Sequence, residues 1–422
     1  MLKREYVFGV IQEVFQLYGF EPIQTPTMER HETLFGKYGE DAENLIYSAS
    51  HQRSKEELAM RYDLTVPLAR VVAQYENDLN FPFKRYHIAP VWRGERPQKG
   101  RYREFYQCDA DIVGVSEMTA DAEVVSMLVT VFKRLGFPEF TVKINNRKLL
   151  TAIGTYSGVP DDQLPDLYRS VDKFDKIGAE GVEKELVERG IAADVVKRMI
   201  DLITQRQPGT ASLDYLEMTL GDAPGAAEGI RELRELATGM EALHVDTDGY
   251  AFDFTMVRGL GYYTGPIFET VITEPDLGSI SGGGRYDDLI GMFRRESMPT
   301  TGTSFGIERI IDLMDALDLY PSHIADTVVQ AMVLVFNEEV RPACTQIATE
   351  LREAGIRTEL YLQDKHMSKQ FKHADRKGIP VAVIAGPDEV AANQVTLRRL
   401  RDGEEITVDR SEMALSLRKL LN

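Results

Sequence analysis

Two neighbouring stretches, about Lys84 to Trp92 and about Glu104 to Val113, read as strands joined by a charged turn, which is a long β-hairpin. Strands so connected pair antiparallel, and their side chains alternate between two faces. On the second strand this period puts Tyr106, Cys108, Ala110 and Ile112 on one face, suited to a core. Phe105, Gln107, Asp109 and Asp111 share the other, and an aromatic ring, an amide and two carboxylates in a row suit a ligand better than a core.

The segment from Lys84 to Glu104 carries Lys84, Arg85, Arg93, Arg96, Lys99, Arg101 and Arg103 against Glu95 and Glu104, a local surplus of five positive charges. The chain as a whole has 49 basic and 67 acidic side chains, a net charge of −18. A charge run is most often a solvated loop. Here it adjoins the polar strand face, where guanidinium forks suit phosphate oxygens. The overall charge excludes an unselective polyanion binder but leaves a local basic site. Two cysteines, Cys108 and Cys344, are too few for a disulfide framework or a Cys-rich zinc site, which fits a reducing cytoplasm. The start, Met1 to Phe20, mixes Lys3, Arg4, Glu5 and Glu13 with apolar residues and reads as an amphipathic helix, not a signal peptide. No run approaches the ~18–20 apolar residues of a membrane helix.

Changes of texture divide the chain. Residues 1–151 are mixed, with a helix-like run from Thr65 to Tyr75. Residues 152–240 show helical spacing, as in Val195, Val196, Met199, Ile200 and Ile203, and look like an inserted helical module. Residues 241–318 return to strand-like, Gly-rich sequence and end in a helix from about Phe305 to Leu317. Residues 327–422 alternate strand and helix as a small α/β domain. Glycine clusters occur at Arg258–Gly265, Ser281–Asp287 and Gly302–Arg309. None is a Walker loop or a dinucleotide fingerprint.

These residues together resemble the histidyl-tRNA synthetase family of class II aminoacyl-tRNA synthetases. Gly19-Phe20 through Thr25-Pro26-Thr27-Met28-Glu29 is similar to class II motif 1, the dimer-interface element. Trp92-Arg93-Gly94-Glu95 with Gly100-Arg101-Tyr102-Arg103-Glu104-Phe105 is similar to motif 2, and Gly306-Ile307-Glu308-Arg309 to motif 3. Arg258-Gly-Leu-Gly-Tyr262-Tyr263-Thr264-Gly265 resembles the segment particular to the histidine enzyme, as do Arg61-Tyr62-Asp63-Leu64-Thr65 and Gln107-Cys108-Asp109-Ala110-Asp111.

The resemblance implies an α+β fold: an antiparallel-sheet catalytic domain split by the helical insertion, then an anticodon-binding α/β domain. It implies that Arg93 holds the α-phosphate of ATP, Glu95 the adenine or the motif 2 loop, Arg101 and Arg309 the terminal phosphates, and that Phe105 stacks on adenine. Asp63, Leu64 through its backbone, Thr65 and Gln107 would hold the amino and carboxylate ends of histidine, and Asp111, Tyr262 and Tyr263 the imidazole. Arg258, with Arg93 one of the two implied catalytic residues, would contact histidine and stand beside the α-phosphate, where sibling enzymes keep a metal ion. No protein-bound metal is then expected, while Mg²⁺ accompanies ATP. The implied partners are L-histidine, ATP and tRNA(His), with a cytoplasmic homodimer as the assembly.

Two other readings compete. A noncatalytic paralogue that serves as the regulatory subunit of an ATP phosphoribosyltransferase shares the catalytic fold; Arg93, Arg258, Tyr262, Tyr263, Arg309 and the C-terminal domain argue against it. An RNA-binding or amino-acid-sensing module without ligase activity predicts a lost phosphate-contacting arginine, which is not seen. Lys365-His366-Met367-Ser368-Lys369 is superficially like the class I lysine signature but lies in the C-terminal domain without its partner motif. It reads instead as a solvated or RNA-facing basic helix. The family commonly opens with a Gly-Thr-Arg-Asp segment, whereas Met1-Leu2-Lys3 begins directly at the first helix.

Overall fold

The computed structural model describes residues 1–38, 43–51, 53, 56–98, 100–205, 209–257, 261–321, 324 and 327–421. They form two compact units, Tyr6–Leu319, and Met1–Glu5 with Tyr320–Asn422.

The strands of the larger unit are β1 (Glu21–Pro22), β2 (Met28–Arg30), β3 (Ser48–Ser50), β4 (Glu57–Met60), β5 (Phe83–Trp92), β6 (Glu104–Val113), β7 (Thr141–Asn146), β8 (Tyr250–Phe252), β9 (Pro266–Val271), β10 (Ser281–Arg285) and β11 (Thr300–Gly306). Among the described residues, eight of them form one sheet in the order β1-β5-β6-β11-β10-β9-β7-β8. Pairing is antiparallel from β5 through to β7, while β1 and β8 add parallel edges, so the expected antiparallel sheet is mixed at its margins. The strands β2, β4 and β3 make a small separate sheet.

The hairpin β5–β6 sets the register, with Phe83 opposite Val113 and Trp92 opposite Glu104. Cys108, Ala110 and Ile112 are buried on one face. Below the sheet, Phe15 of the first helix packs its ring 5.4 Å from Tyr86 and 5.9 Å from Phe305, and Phe132 of the helix Thr119–Arg134 lies 5.6 Å from Phe305. Aromatic burial of this kind contributes roughly 1.5–3 kcal/mol per ring. With that face covered by helices, the opposite face is left for chemistry.

Glycines make β10 and β11 possible. A Cβ at Gly283 would lie 2.6 Å from Thr303 Cα, and one at Gly302 would lie 2.7 Å from Ala110 O and overlap the Asp111 carboxylate. The two clusters singled out in the sequence are therefore central strands at close approach, and the last helix begins at Ile307, after β11, not at Phe305.

Helices run from Arg147 to Ala242 within the same unit. Asn146 caps the first of them by accepting from Lys148 N at 2.9 Å, and its amide donates to buried Glu232 on Ala226–Ala242 at 2.7 Å.

In the smaller unit, β12 (Ala331–Leu334), β13 (Thr358–Leu360), β14 (Val381–Ile384), β15 (Gln394–Arg399) and β16 (Glu405–Asp409) form a sheet ordered β13-β12-β14-β15-β16. All four residues of β12 are buried, as expected of a strand covered on both faces. Ala331 and Val333 meet Cys344, Ile347 and Leu351, and Met332 and Leu334 meet Tyr361 and Ala374. His366 caps the helix Met367–Arg376, its Nδ1 accepting from Ser368 N at 3.3 Å, so the Lys365–Lys369 run is a helix start.

Candidate active site

The uncovered face of the larger sheet carries a pocket of about 280 Å³. Its floor is the polar face of β6 with the glycine-rich strands beside it: Phe105, Gln107, Asp109 and Asp111 from β6, and Gly283, Gly302, Thr303 and Ser304 from β10 and β11. The strand alternation read from the sequence thus coincides with the lining of a cavity. Gln107 Nε2 donates to Ser304 Oγ at 2.9 Å, and Ser304 in turn donates to Asp109. Among the described residues, Gln107 Oε1, Asp109 Oδ1 and Asp111 Oδ2 are buried without a hydrogen-bond partner.

The two aspartates differ in their surroundings. Asp111 Oδ2 pairs with the fully buried Arg85 at 2.6 Å, and its Oδ1 accepts from the Tyr286 hydroxyl. Burial, opposed by Arg85 and by the Tyr286 bond, raises its pKa. Burial, partly offset by Arg85 and augmented by Asp111, pushes the Asp109 carboxyl up to about 7. His87, directly across from Asp109 in register, is driven down to about 3 by burial and by Arg85 and Arg61, so it is neutral at pH 7.

At one end of the floor lies the hairpin turn. The Arg93 guanidinium stacks over Tyr62 at 4.3 Å and Phe105 at 5.0 Å from the ring centroids, and its Nε donates to Tyr62 O at 3.2 Å. Arg101 pairs with Glu95 at 3.1 Å. Arg309, from the helix Ile307–Ala316, donates to Ser279 O at 2.7 Å and Gly100 O at 3.4 Å, tying the turn to the segment just before β10. Arg93, Glu95, Arg101, Phe105 and Arg309 all line the pocket. Of the seven basic residues counted in this segment, Arg93 and Arg101 line the pocket, Arg96 and Arg103 do not, Lys99 lies outside the described residues, and Lys84 and Arg85 lie elsewhere. Lys84 pairs with Glu123 at 2.8 Å, and Arg85 is buried beneath the floor.

Next to Tyr62, Asp63 sits at the start of the helix Thr65–Tyr75, where Val66 N donates to its Oδ1 at 3.0 Å and the Tyr38 hydroxyl at 2.9 Å. Among the described residues, no hydrogen-bond partner meets its buried Oδ2. Burial raises its pKa, against the Val66 and Tyr38 bonds. Leu64 turns its side chain into the core with Ala89 and Val91, so only its backbone can meet a ligand. Thr65, Tyr262 and Tyr263 line the wall; the Thr65 hydroxyl hydrogen-bonds Tyr262, and the two tyrosine rings stand 4.9 Å apart.

Arg258 and its neighbours Gly259 and Leu260 lie outside the described residues. Arg85, Tyr286, Ser304 and Tyr38, which hold the acidic floor in place, were missed by sequence reasoning. For Arg85 a signal existed: on the paired strand it falls opposite Asp111.

This sheet, with an arginine-bearing turn and buried carboxylates lining one pocket, is that of a class II aminoacyl-tRNA synthetase. The family model for histidyl-tRNA synthetase matches residues 2–310, and that for the anticodon-binding domain matches residues 330–420. A protein named histidine–tRNA ligase from Phocaeicola vulgatus is 39% identical over 98% of this chain and 95% of its own length. One from Gloeobacter violaceus is 42% identical over 95% and 91%. The crystal structure of histidyl-tRNA synthetase from Nostoc sp. PCC 7120 superposes with a TM-score of 0.87 at 33% identity, covering 99% of this chain and 95% of that one. The chain belongs to the histidyl-tRNA synthetase family.

Proposed function

We propose that the protein is a histidine–tRNA ligase: it joins L-histidine to ATP, releasing pyrophosphate, and passes the histidyl group from the adenylate to the 3′-terminal adenosine of tRNA(His). The observation that carries this reading is one pocket lined both by arginines and by open carboxylate and amide oxygens. A polyphosphate and an amino acid can meet there head to tail. Attack of the histidine carboxylate on the α-phosphorus needs little covalent help from a protein; holding the reactants and screening charge dominate.

We assign Arg93 to the α-phosphate, Arg101 and Arg309 to the terminal phosphates, Phe105 to the adenine ring and Glu95 to the motif 2 turn, which its pairing with Arg101 supports. Arg101 and Arg309 must exchange their present partners for phosphate oxygens. Arg258 completes the α-phosphate site by resemblance. Asp63, the Leu64 backbone, Thr65 and Gln107 take the amino and carboxylate ends of histidine; the unpartnered Asp63 Oδ2 and Gln107 Oε1 support this, since both accept N–H donors. Asp111, Tyr262 and Tyr263 surround the imidazole. Mg²⁺ enters as the counter-ion of the ATP phosphates, part of a substrate.

Residues 152–240 serve as the insertion and 327–422 as the anticodon-binding domain. A cytoplasmic homodimer formed through the Gly19–Glu29 segment is consistent with the exposed Met28 and Tyr75 beside it. The test is charging: tRNA(His) transcript should accept labelled histidine in the presence of MgATP, and a folded preparation that leaves it uncharged overturns the reading.

A further inference from the structure

The Arg93 guanidinium rests on Tyr62, a buried residue that does not line the pocket. It lies 4.3 Å from the Tyr62 ring centroid, and its Nε donates to the Tyr62 carbonyl at 3.2 Å. One residue thus holds the arginine both by a ring face and by a main-chain acceptor. Resting on the reading of the pocket given above, we propose that Tyr62 is a positioning residue for histidine activation: it sets where the α-phosphate arginine stands relative to the carboxylate that takes the amino end of histidine.

Both sides of that relationship pass through Tyr62. On one side stands Arg93. On the other, the Tyr62 ring lies 5.0 Å from the ring of Tyr38, whose hydroxyl donates to Asp63 Oδ1 at 2.9 Å. Asp63 is also the next residue in the chain, so main chain and side chains fix the same spacing. Tyr62 is 5% exposed and belongs to a core cluster with Leu34, Tyr38 and Val66. Its place in the chain is secured by Arg61. Arg61 N donates to Thr27 O at 3.1 Å, and Arg61 O accepts from Trp92 N at 3.1 Å. The buried Arg61 side chain repeats this bridge, its Nε donating to Pro90 O and its Nη1 to Thr25 O, each at 2.9 Å. The end of β5, from which Arg93 departs, is thereby tied to the residue on which the guanidinium rests.

A guanidinium over an aromatic face is attracted by the quadrupole of the ring, most strongly where water is excluded. Arginine has a long, rotatable side chain, and fixing it before ATP arrives reduces the ordering left for the bound state. Attack by the histidine carboxylate depends on alignment, and a displacement of about 1 Å costs on the order of 100-fold in rate. A shifted Arg93 therefore slows the chemical step more than it weakens the binding of either substrate. Phe105 also meets Arg93, at 5.0 Å, but it lines the pocket and is assigned to adenine. Tyr62 remains as the support when the nucleotide takes Phe105.

The test is histidine-dependent pyrophosphate exchange by Tyr62→Leu, Tyr62→Phe, Arg93→Met and the double variant Tyr62→Leu with Arg93→Met. The full chain is used, folding is checked by thermal unfolding, and slow variants are read by single-turnover formation of the adenylate. Tyr62→Leu keeps apolar bulk and loses the ring face; kcat should fall about 10- to 100-fold, with both KM values changed by less than about threefold. Tyr62→Phe keeps the ring and should retain most of the wild-type kcat. In the Arg93→Met background the leucine substitution should add little further loss, because the group it places is gone. Equal losses in both backgrounds would show that Tyr62 does not act through Arg93 and overturn the proposal. So would a Tyr62→Phe variant as impaired as Tyr62→Leu, or a raised KM with kcat unchanged. If Tyr62→Leu does not fold, Tyr62→Met carries the same expectations; failure of both to fold would make Tyr62 a core residue only and overturn the proposal as well. A wild type without histidine-dependent exchange would instead remove the underlying reading of the pocket.

Discussion

Arg85 and Asp111 stand opposite each other on β5 and β6 and form an ion pair of 2.6 Å with side chains 0% and 4% exposed. Buried pairs of this kind are costly to break because the remaining charge has no solvent. Arg85→Met should therefore lower stability by about 3–5 kcal/mol in urea unfolding. Adding Asp111→Asn should recover much of the loss. A single-variant cost below about 1 kcal/mol would show the pair to be hydrated, contrary to its burial.

Asp109 gives stability a pH dependence of defined sign. Its carboxyl moves from 3.8 to about 7 on folding, so the folded state holds the proton more tightly. The contribution is complete below the unfolded value and is lost as pH rises through about 7. Relative to wild type, Asp109→Asn should gain stability between pH 4 and 7, by at most about 1.4 kcal/mol per pH unit, and level off above. The raised carboxyl of Asp121 is common to both proteins, while Asp111 and Asp63 interact with Asp109, so the difference reports Asp109 together with these two neighbours. Urea unfolding across this range checks it, and a loss of relative stability with rising pH would contradict it.

Gly283 and Gly302 are required by close strand approach. Gly283→Ala places Cβ 2.6 Å from Thr303 Cα, and backbone cannot rotate away as a side chain can. The expected cost is about 3 kcal/mol or more, at the upper end for overpacking. Gly282→Ala, whose Cβ would meet only Phe268 O at 3.9 Å, is the control and should be close to neutral in the same denaturation assay.

Much of this architecture was legible because alternation is a local property. The strand ends of β5 and β6 came within a residue of the structure, and Phe105, Gln107, Asp109 and Asp111 fell on one face by period alone. β11 was not resolved from the following helix, since Thr300–Gly306 contains a single large apolar residue and its strand state comes from pairing with β6 and β10. β16 carries a similarly weak local signal, since Ile406 and Val408 alone form its apolar face. The partners of the acidic floor, Tyr286 and Ser304, come from chain nearly two hundred residues away, and no local pattern joins them to β6.

Phe105 offers a check on the nucleotide end of the pocket. Removing the ring in Phe105→Ala takes away the proposed stacking surface, worth about 1–3 kcal/mol per base. KM for ATP should rise by about 10-fold or more while KM for histidine changes little. Equal changes in both would point to collapse of the Arg93–Phe105 stack instead.

The central claim is that this pocket activates histidine. Exchange of labelled pyrophosphate into ATP, run with each of the twenty amino acids in turn and without tRNA, tests it directly. The account predicts exchange that depends on histidine and on no other amino acid. Exchange driven by another amino acid, or none from a folded protein, would contradict it.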